Sequence, residues 1–331
     1  MRKTLAGLTA LAWLLAPAAF AADVSPGLIY DMGGKFDKSF NEAAYNGAEA
    51  FKSDTGIGYL EFEPTTEAQR EQALRNMARR GANIIVAVGF SQASAVETVA
   101  AELPEVKFTV IDGVVDAPNV QSIVFKEHEG SYLVGMLAAM ASQSGKVGFV
   151  GGMDVPLIRK FECGYEQGAR AVNGEIEVLA NMTGNTPSAW NDPTKGGELA
   201  RSQFDRGADV VFAAAGATGV GVYQAAKDQG KLAIGVDSNQ NHLHPGTMLS
   251  SMVKRVDVAT QEAFTSVMDG TWASGFKVLG LAEDGVAWAL DEHNRDLITG
   301  EMEAALAKAR DGIVSGDIQV ADYMANNTCE Y

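Results

Sequence analysis

A chain of 331 residues, 47% hydrophobic and 21% charged, has the composition of a globular protein long enough to build two cored domains. Its 42 acidic against 26 basic residues leave a net charge of -16, which argues against nucleic acid or an anionic membrane as partner, since both call for basic patches. An acidic balance says little about a small ligand.

The first residues carry a targeting pattern. Arg2 and Lys3 precede an apolar run over 5–15, and Ala19-Phe20-Ala21 forms a small-x-small cleavage site, so a signal peptide over 1–21 and a mature chain from Ala22 are expected. No Cys follows the apolar run, and no later stretch is long and apolar enough for a bilayer span. The expectation is a free periplasmic protein without a lipid anchor or stable membrane insertion.

Beyond the cleavage site the pattern predicts a strand over 27–30, a loop over 31–40 and a helix from Asn41. Ala43, Ala44, Gly47, Ala48 and Phe51 share a face of that helix, and Ser39 is its expected cap. A strand over 59–62 and a charged amphipathic helix over 66–80 follow. Residues 80–112, RGANIIVAVGFSQASAVETVAAELPEVKFTVID, then introduce a unit that returns at 206–237 as RGADVVFAAAGATGVGVYQAAKDQGKLAIGVD. Each copy reads as a doubly buried strand (84–88; 210–214), a polar glycine-containing loop, a helix, and a second strand ending at Asp112 or Asp237. Parallel βαβ units bind ligands beyond the carboxyl ends of their strands, so both aspartates are expected at a ligand edge.

The opening unit also has an echo: a strand over 146–150, a glycine-containing loop over 151–160, then Phe161 with Gly168-Ala169, as Phe40 stands before Gly47-Ala48. Two α/β lobes of doubly wound parallel sheet account for this, 23–125 and 126–249, with a single long sheet as the alternative. Past Asp237 a strand over 247–253, a helix over 256–268, strands over 275–281 and 288–290, and a helix over 299–312 are predicted. The chain is expected to re-enter the first lobe over about 250–280 and to return to the second over about 281–331, which makes a hinge of several crossings. Cys163 and Cys329 are the only cysteines; in an oxidising compartment they are expected to form one bridge pinning the tail to the second lobe, two unpaired thiols being the alternative.

No G-x-S-x-G, H-E-x-x-H or Walker pattern occurs, the four histidines show no metal-ligand spacing, and the glycines at 216, 219 and 221 run in the reverse of the dinucleotide order. No catalysis, metal or cofactor is expected. The strand ends offer binding groups instead. Asp31, Asp112 and Asp237 are pure acceptors when ionised and suit amine or diol donors. Phe40, Phe212 and one of Phe36 or Phe161 offer flat faces for a ring, and Lys254 a cation. Each has an ordinary reading too: an aspartate closing a turn, a core phenylalanine, a solvated Lys254–Arg255 pair.

The runs GGKFDKSFNEAAYNGAEAF (33–51), GGMDVPLIRKFECGYEQGARAVN (151–173), NDPTKGGELA (191–200), FAAAGATGVGVYQAA (212–226), IGVDSNQN (234–241) and GTMLSSMVKRVDVA (246–259) resemble the PnrA-like basic membrane protein family of ABC transporter substrate-binding proteins. The resemblance implies a type I periplasmic-binding fold, two lobes joined by three crossings, acting as a monomer. It further implies a purine nucleoside (adenosine, guanosine or inosine) held between the lobes for delivery to a permease with a cytoplasmic ATPase. Asp31 and Asp112 would then face the base, Phe40 and Phe212 stack on it, Asp237 and Lys254 hold the ribose hydroxyls, and Asn41 and Gly216 line the site. Alternatives are another small polar ligand such as a sugar or furanose signal, a sensor input, and a nucleoside hydrolase.

Overall fold

The computed structural model describes residues 23–329, so the expected signal peptide lies outside the described residues. The first half of the chain alternates strand and helix as far as β4 and then adds β5 directly: β1 (Pro26–Ile29), α1 (Phe40–Thr55), β2 (Leu60–Phe62), α2 (Gln69–Arg79), β3 (Ile84–Val88), α3 (Ala93–Glu102), β4 (Lys107–Ile111) and β5 (Val120–Phe125). The second half repeats the alternation with α4 (Glu127–Ala141), β6 (Lys146–Met153), α5 (Pro156–Val172), β7 (Glu177–Gly184), α6 (Pro193–Asp205), β8 (Val210–Ala214), α7 (Gly219–Asp228) and β9 (Leu232–Asp237). It continues through β10 (Met248–Lys254), α8 (Val256–Met268), β11 (Gly275–Leu279), β12 (Val286–Trp288), α9 (Gly300–Ser315) and the short α10 (Tyr323–Asn326).

The strands form two six-stranded sheets, in the orders β11-β5-β4-β3-β1-β2 and β12-β10-β9-β8-β6-β7. Every pairing is parallel except β10 with β12. The central strands β1, β3 and β8 are buried along their whole length, as their continuous apolar runs require when helices cover both faces. The two repeated units supply β3–α3–β4 in one sheet and β8–α7–β9 in the other, so both terminal aspartates emerge at a carboxyl edge.

The chain passes between the sheets three times, at Phe125–Glu127, at Lys254–Val256 and between β11 and β12. These passages lie side by side. Lys126 N donates to Leu279 O at 3.0 Å, Arg255 N to Gly285 O at 2.9 Å, and Leu281 N to the Glu129 carboxylate at 2.8 Å. Three passages bonded to one another form the hinge region between the two sheets.

Three expectations are corrected. The boundary at about 249/250 falls inside β10, which pairs with β9 through Val253 and Asp237 and with β12 through Lys254 and Val286. The strand therefore belongs wholly to the second sheet, and only α8 and β11 return to the first. Residues 151–160 are not a loop: β6 continues to Met153 because Gly151 pairs with both Met182 and Ala214, and α5 already begins at Pro156, a residue suited to the first helical turn. Ser39 occupies the cap position of α1 without a side-chain capping bond. Asp37 does that work, accepting from the backbone N–H groups of Ser39, Asn41 and Glu42 at 2.8, 3.0 and 3.1 Å.

Cys163 on α5 is bonded to Cys329. The tail is seated further by Gln167, which donates to Ala321 O at 3.1 Å and accepts from Ala321 N at 2.8 Å. Among the described residues no helix is long and apolar enough to cross a membrane.

Candidate functional site

The carboxyl edges of the two sheets face each other across a narrow cleft, a slot with a cavity volume of about 60 Å³. Its apolar lining includes Phe40, Phe90, Leu157, Ile158, Phe161 and Trp190, and its polar lining includes Asp31, Asp37, Asn41, Asp112, Asp237 and Lys254.

Asp112 and Asp237, the last residues of the repeated units, both adopt left-handed backbone conformations, with φ of 64° and 62°. Such conformations are uncommon outside glycine, Asn and Asp being the best tolerated, and cost about 1–3 kcal/mol when the surroundings enforce them. The same strained turn at equivalent points of both sheets aims a carboxylate into the slot from each side.

From the first sheet, Asp31 follows β1. Its carboxylate accepts from Met32 N at 2.8 Å and Ser91 Oγ at 2.6 Å, with the buried Arg70 guanidinium at 3.7 Å. Burial pushes its pKa up, against the pull of Ser91, Met32 and Arg70. Gly89 is required beneath it: φ is +100°, and a Cβ there would run into the Asp31 carboxylate. Asn41 is spent on the loop, accepting from Asp31 N at 2.9 Å and donating to Asp31 O and Gly34 O, each at 3.2 Å. Asp37 is pushed up to about 7 by burial, despite its three backbone donors.

Asp112 and Lys254 meet across the cleft, Nζ to Oδ2, at 2.5 Å. Lys254 is 2% exposed at its side chain, and its ammonium also lies 2.9 Å from Glu127 and 5.2 Å from the Phe40 ring centroid. Burial works against that charge, but the carboxylates of Asp112, Glu127 and Asp237 outweigh it and raise the lysine pKa. Asp112 moves up to about 7 because burial outweighs the attraction of Lys254. Its Oδ1 is buried with no hydrogen-bond partner among the described residues, and a buried acceptor left without a donor is costly.

Asp237 accepts from Ser39 Oγ at 2.5 Å, a bond between the two halves of the molecule. Ser238 Oγ donates to Ser39 O at 3.1 Å and Gln240 Nε2 to Lys38 O at 2.8 Å, so the halves are closed on one another along this rim. Burial raises the Asp237 pKa, opposed by Lys254 and Ser39.

Of the residues expected from the sequence, Asp31, Phe40, Asn41, Asp112, Gly216, Asp237 and Lys254 all line the cleft, as does Phe161. Phe212 does not. It is 0% exposed and packs against Phe149 and Tyr165, ring centroids 5.5 and 5.4 Å away. The reason is the two-residue period of β8: Val210, Phe212 and Ala214 face the main core, Val211 and Ala213 the opposite one. The slot begins only at Ala214, past the point where Phe212 can reach. Phe36 is 62% exposed and lies edge-on against Tyr45 at 5.4 Å.

The aromatic wall contributed by the second half includes Trp190 instead, on a 3-10 turn Pro187–Trp190. Its indole rests on the bare backbone of Gly152, where any Cβ would collide with the ring. Sequence reasoning also missed Asp37 and Glu127. The DKS motif ahead of a helix was a readable signal for the first, whereas nothing local marks Glu127. Away from the cleft, Asp291, Glu292 and His293 approach closely enough to share an ion, but Asp291 already accepts from Asn239 at 2.6 Å and Asn241 at 3.1 Å.

A family model described as ABC transporter substrate-binding protein PnrA-like matches residues 27–323. Among curated relatives, the CD4+ T-cell-stimulating antigen of Listeria monocytogenes is 33% identical, the match covering 91% of this chain and 88% of that protein. The ABC transporter nucleoside-binding protein BmpA of Lactococcus lactis subsp. cremoris is 30% identical over 90% of this chain and 89% of that protein. Among solved structures, an ABC transporter system solute-binding protein from Aeropyrum pernix K1 superposes with a TM-score of 0.84 and 28% identity, covering 93% of this chain and 95% of that one.

Proposed function

Because this chain belongs to the Bmp family of PnrA-like ABC transporter substrate-binding proteins, we propose that its cleft captures a purine nucleoside and delivers it to a membrane permease driven by a cytoplasmic ATPase. The observation that carries the reading is the pairing of a narrow aromatic-walled slot with the unpartnered Asp112 Oδ1 inside it. A purine is flat, buries its faces between aromatic side chains, and carries ring-edge N–H donors that a buried carboxylate accepts. Asp31 and Asp112 serve the base edge. Asp237 and the remaining proton of Lys254 serve the ribose hydroxyls, with Phe40 and Trp190 providing the flat walls in place of the Phe40–Phe212 pair. The name of the Lactococcus relative points the same way.

The hydrogen bonds joining Ser39 to Asp237 and Lys38 to Gln240 are those of a closed cleft, the state in which a captured ligand is shielded from water. Capture is expected in the periplasm after export. Isothermal calorimetry with adenosine, guanosine and inosine, alongside ribose, tests the proposal. Nucleosides are expected to bind and ribose to bind far more weakly. Absence of heat with every nucleoside from folded protein, together with a different small molecule released on denaturation and identified by mass spectrometry, refutes it.

A further inference from the structure

Behind Lys254 lie two charged side chains that ligand contact does not explain. Glu127 and Lys160 are both buried, and with their neighbours they form a continuous row. Asp112 meets Lys254 at 2.5 Å, Lys254 meets Glu127 Oε1 at 2.9 Å, Glu127 Oε2 meets Lys160 at 3.0 Å, and Lys160 meets Asp322 of the disulfide-held tail at 3.6 Å. One carboxylate thus bridges two ammonium groups. Lys160 also donates to Phe125 O at 2.7 Å.

The row follows the hinge. Phe125 ends the strand before the first passage between sheets, Glu127 opens the helix after it, and Lys254 ends the strand before the second. Lys254, Glu127 and Lys160 all belong to the second half of the molecule, so their contacts persist when the cleft opens. Asp112 alone comes from the first half and leaves. Burying a Lys–Glu–Lys row is unfavourable beside an apolar filling of the same shape, and losing one member leaves uncompensated charge in the interior. Stability alone does not account for it.

We propose that Glu127 and Lys160 are positioning residues for ligand capture: Glu127 clamps the Lys254 ammonium at the cleft edge in the open protein, and Lys160 holds Glu127 to the hinge. This rests on the cleft being the ligand site. The electrostatics agree. Glu127 lies below the usual carboxylate range because Lys254 and Lys160 outweigh its burial. The charged groups acting on Asp112 are Lys254, Glu127 and Asp237, and those around Lys160 are Glu127, Asp322 and His128. Removing Lys160 leaves Glu127 to claim Lys254 alone, so Asp112 holds its proton to higher pH.

The first experiment needs no ligand. In proton–nitrogen NMR of lysine ammonium groups at neutral pH, the ligand-free protein is expected to show a slowly exchanging Lys254 signal, assigned by its loss in Lys254→Met. Glu127→Gln is expected to lose that signal while the backbone spectrum stays folded; an unchanged signal overturns the proposal. The second measures inosine affinity against pH. Glu127→Gln and Lys160→Met are each expected to weaken binding about tenfold or more, and Lys160→Met to move the midpoint of the pH profile upward. The double variant, which lacks the clamp as Glu127→Gln does and leaves Lys160 nothing to hold, is expected to bind no more weakly than Glu127→Gln alone. Additive losses that are uniform across pH indicate a merely structural role and overturn it. Should the wild-type protein bind no nucleoside, the nucleoside reading fails, while the ammonium signal still decides the positioning role.

Discussion

Truncating Phe212 separates the core role found here from a ligand role. The ring is wholly buried, with aromatic neighbours 5.5 and 5.4 Å away, and β8 is hydrogen-bonded on both sides, to β6 and β9, so the backbone cannot collapse into the space left. Phe212→Ala is therefore expected to cost about 3–5 kcal/mol, the range for large-to-small core changes. Set against a total stability of about 5–15 kcal/mol, this is a large fraction. With a urea slope of about 3 kcal/mol/M the midpoint falls by about 1–1.7 M. Trp190→Ala is the counterpart: half-buried on a turn, it is expected to move the midpoint less, but to weaken nucleoside binding about 5- to 150-fold, as a lost stacking face of about 1–3 kcal/mol does. Urea unfolding of the ligand-free variants and calorimetry with inosine measure both effects. A Phe212→Ala protein with an unchanged midpoint and no inosine binding refutes the reasoning.

Asp37 is pushed from its ordinary 3.8 up to about 7 by burial, so in that window the folded state binds the proton that the unfolded state has released. The stability of wild type relative to Asp37→Asn is then expected to fall as pH rises from about 4 to about 7, and urea midpoints of the two proteins rising together or diverging the other way would contradict this. The Cys163–Cys329 bond spans a sequence separation of 166 residues; Cys163→Ser with Cys329→Ser is expected to lose about 2–5 kcal/mol, seen as a lower thermal midpoint that reductant no longer affects. Gly152→Ala drives the Trp190 indole off its seat and is expected to weaken ligand binding in calorimetry more than it lowers the unfolding midpoint. Asp112→Asn is expected to alter the preference among adenosine, guanosine and inosine, whereas Asp237→Asn weakens all three alike.

Much of the architecture was legible because it is written in local pattern. The strands Ile84–Val88 and Val210–Ala214 and the helix Val256–Met268 lie where apolar runs and helical spacing put them. The doubled unit ending in Asp112 and Asp237 fixes both carboxylates at sheet edges through the handedness of βαβ crossovers alone. The two cysteines admitted a single intrachain pairing, and the family motifs are contiguous strings. What required the tertiary structure is what depends on reach and on partners distant in sequence. Alternation along β8 shows that Phe212 and Ala214 share a face, but not that Ala214 lines the cleft while Phe149 and Tyr165 enclose the Phe212 ring. Trp190 becomes a wall only because Gly152, on another strand, leaves room for its ring. Glu127, Lys160 and Lys254 come together from α4, α5 and β10, and Asp112 from the opposite sheet. A charge in a chain has no assigned partner until the fold brings distant segments within a few ångströms and removes the water between them.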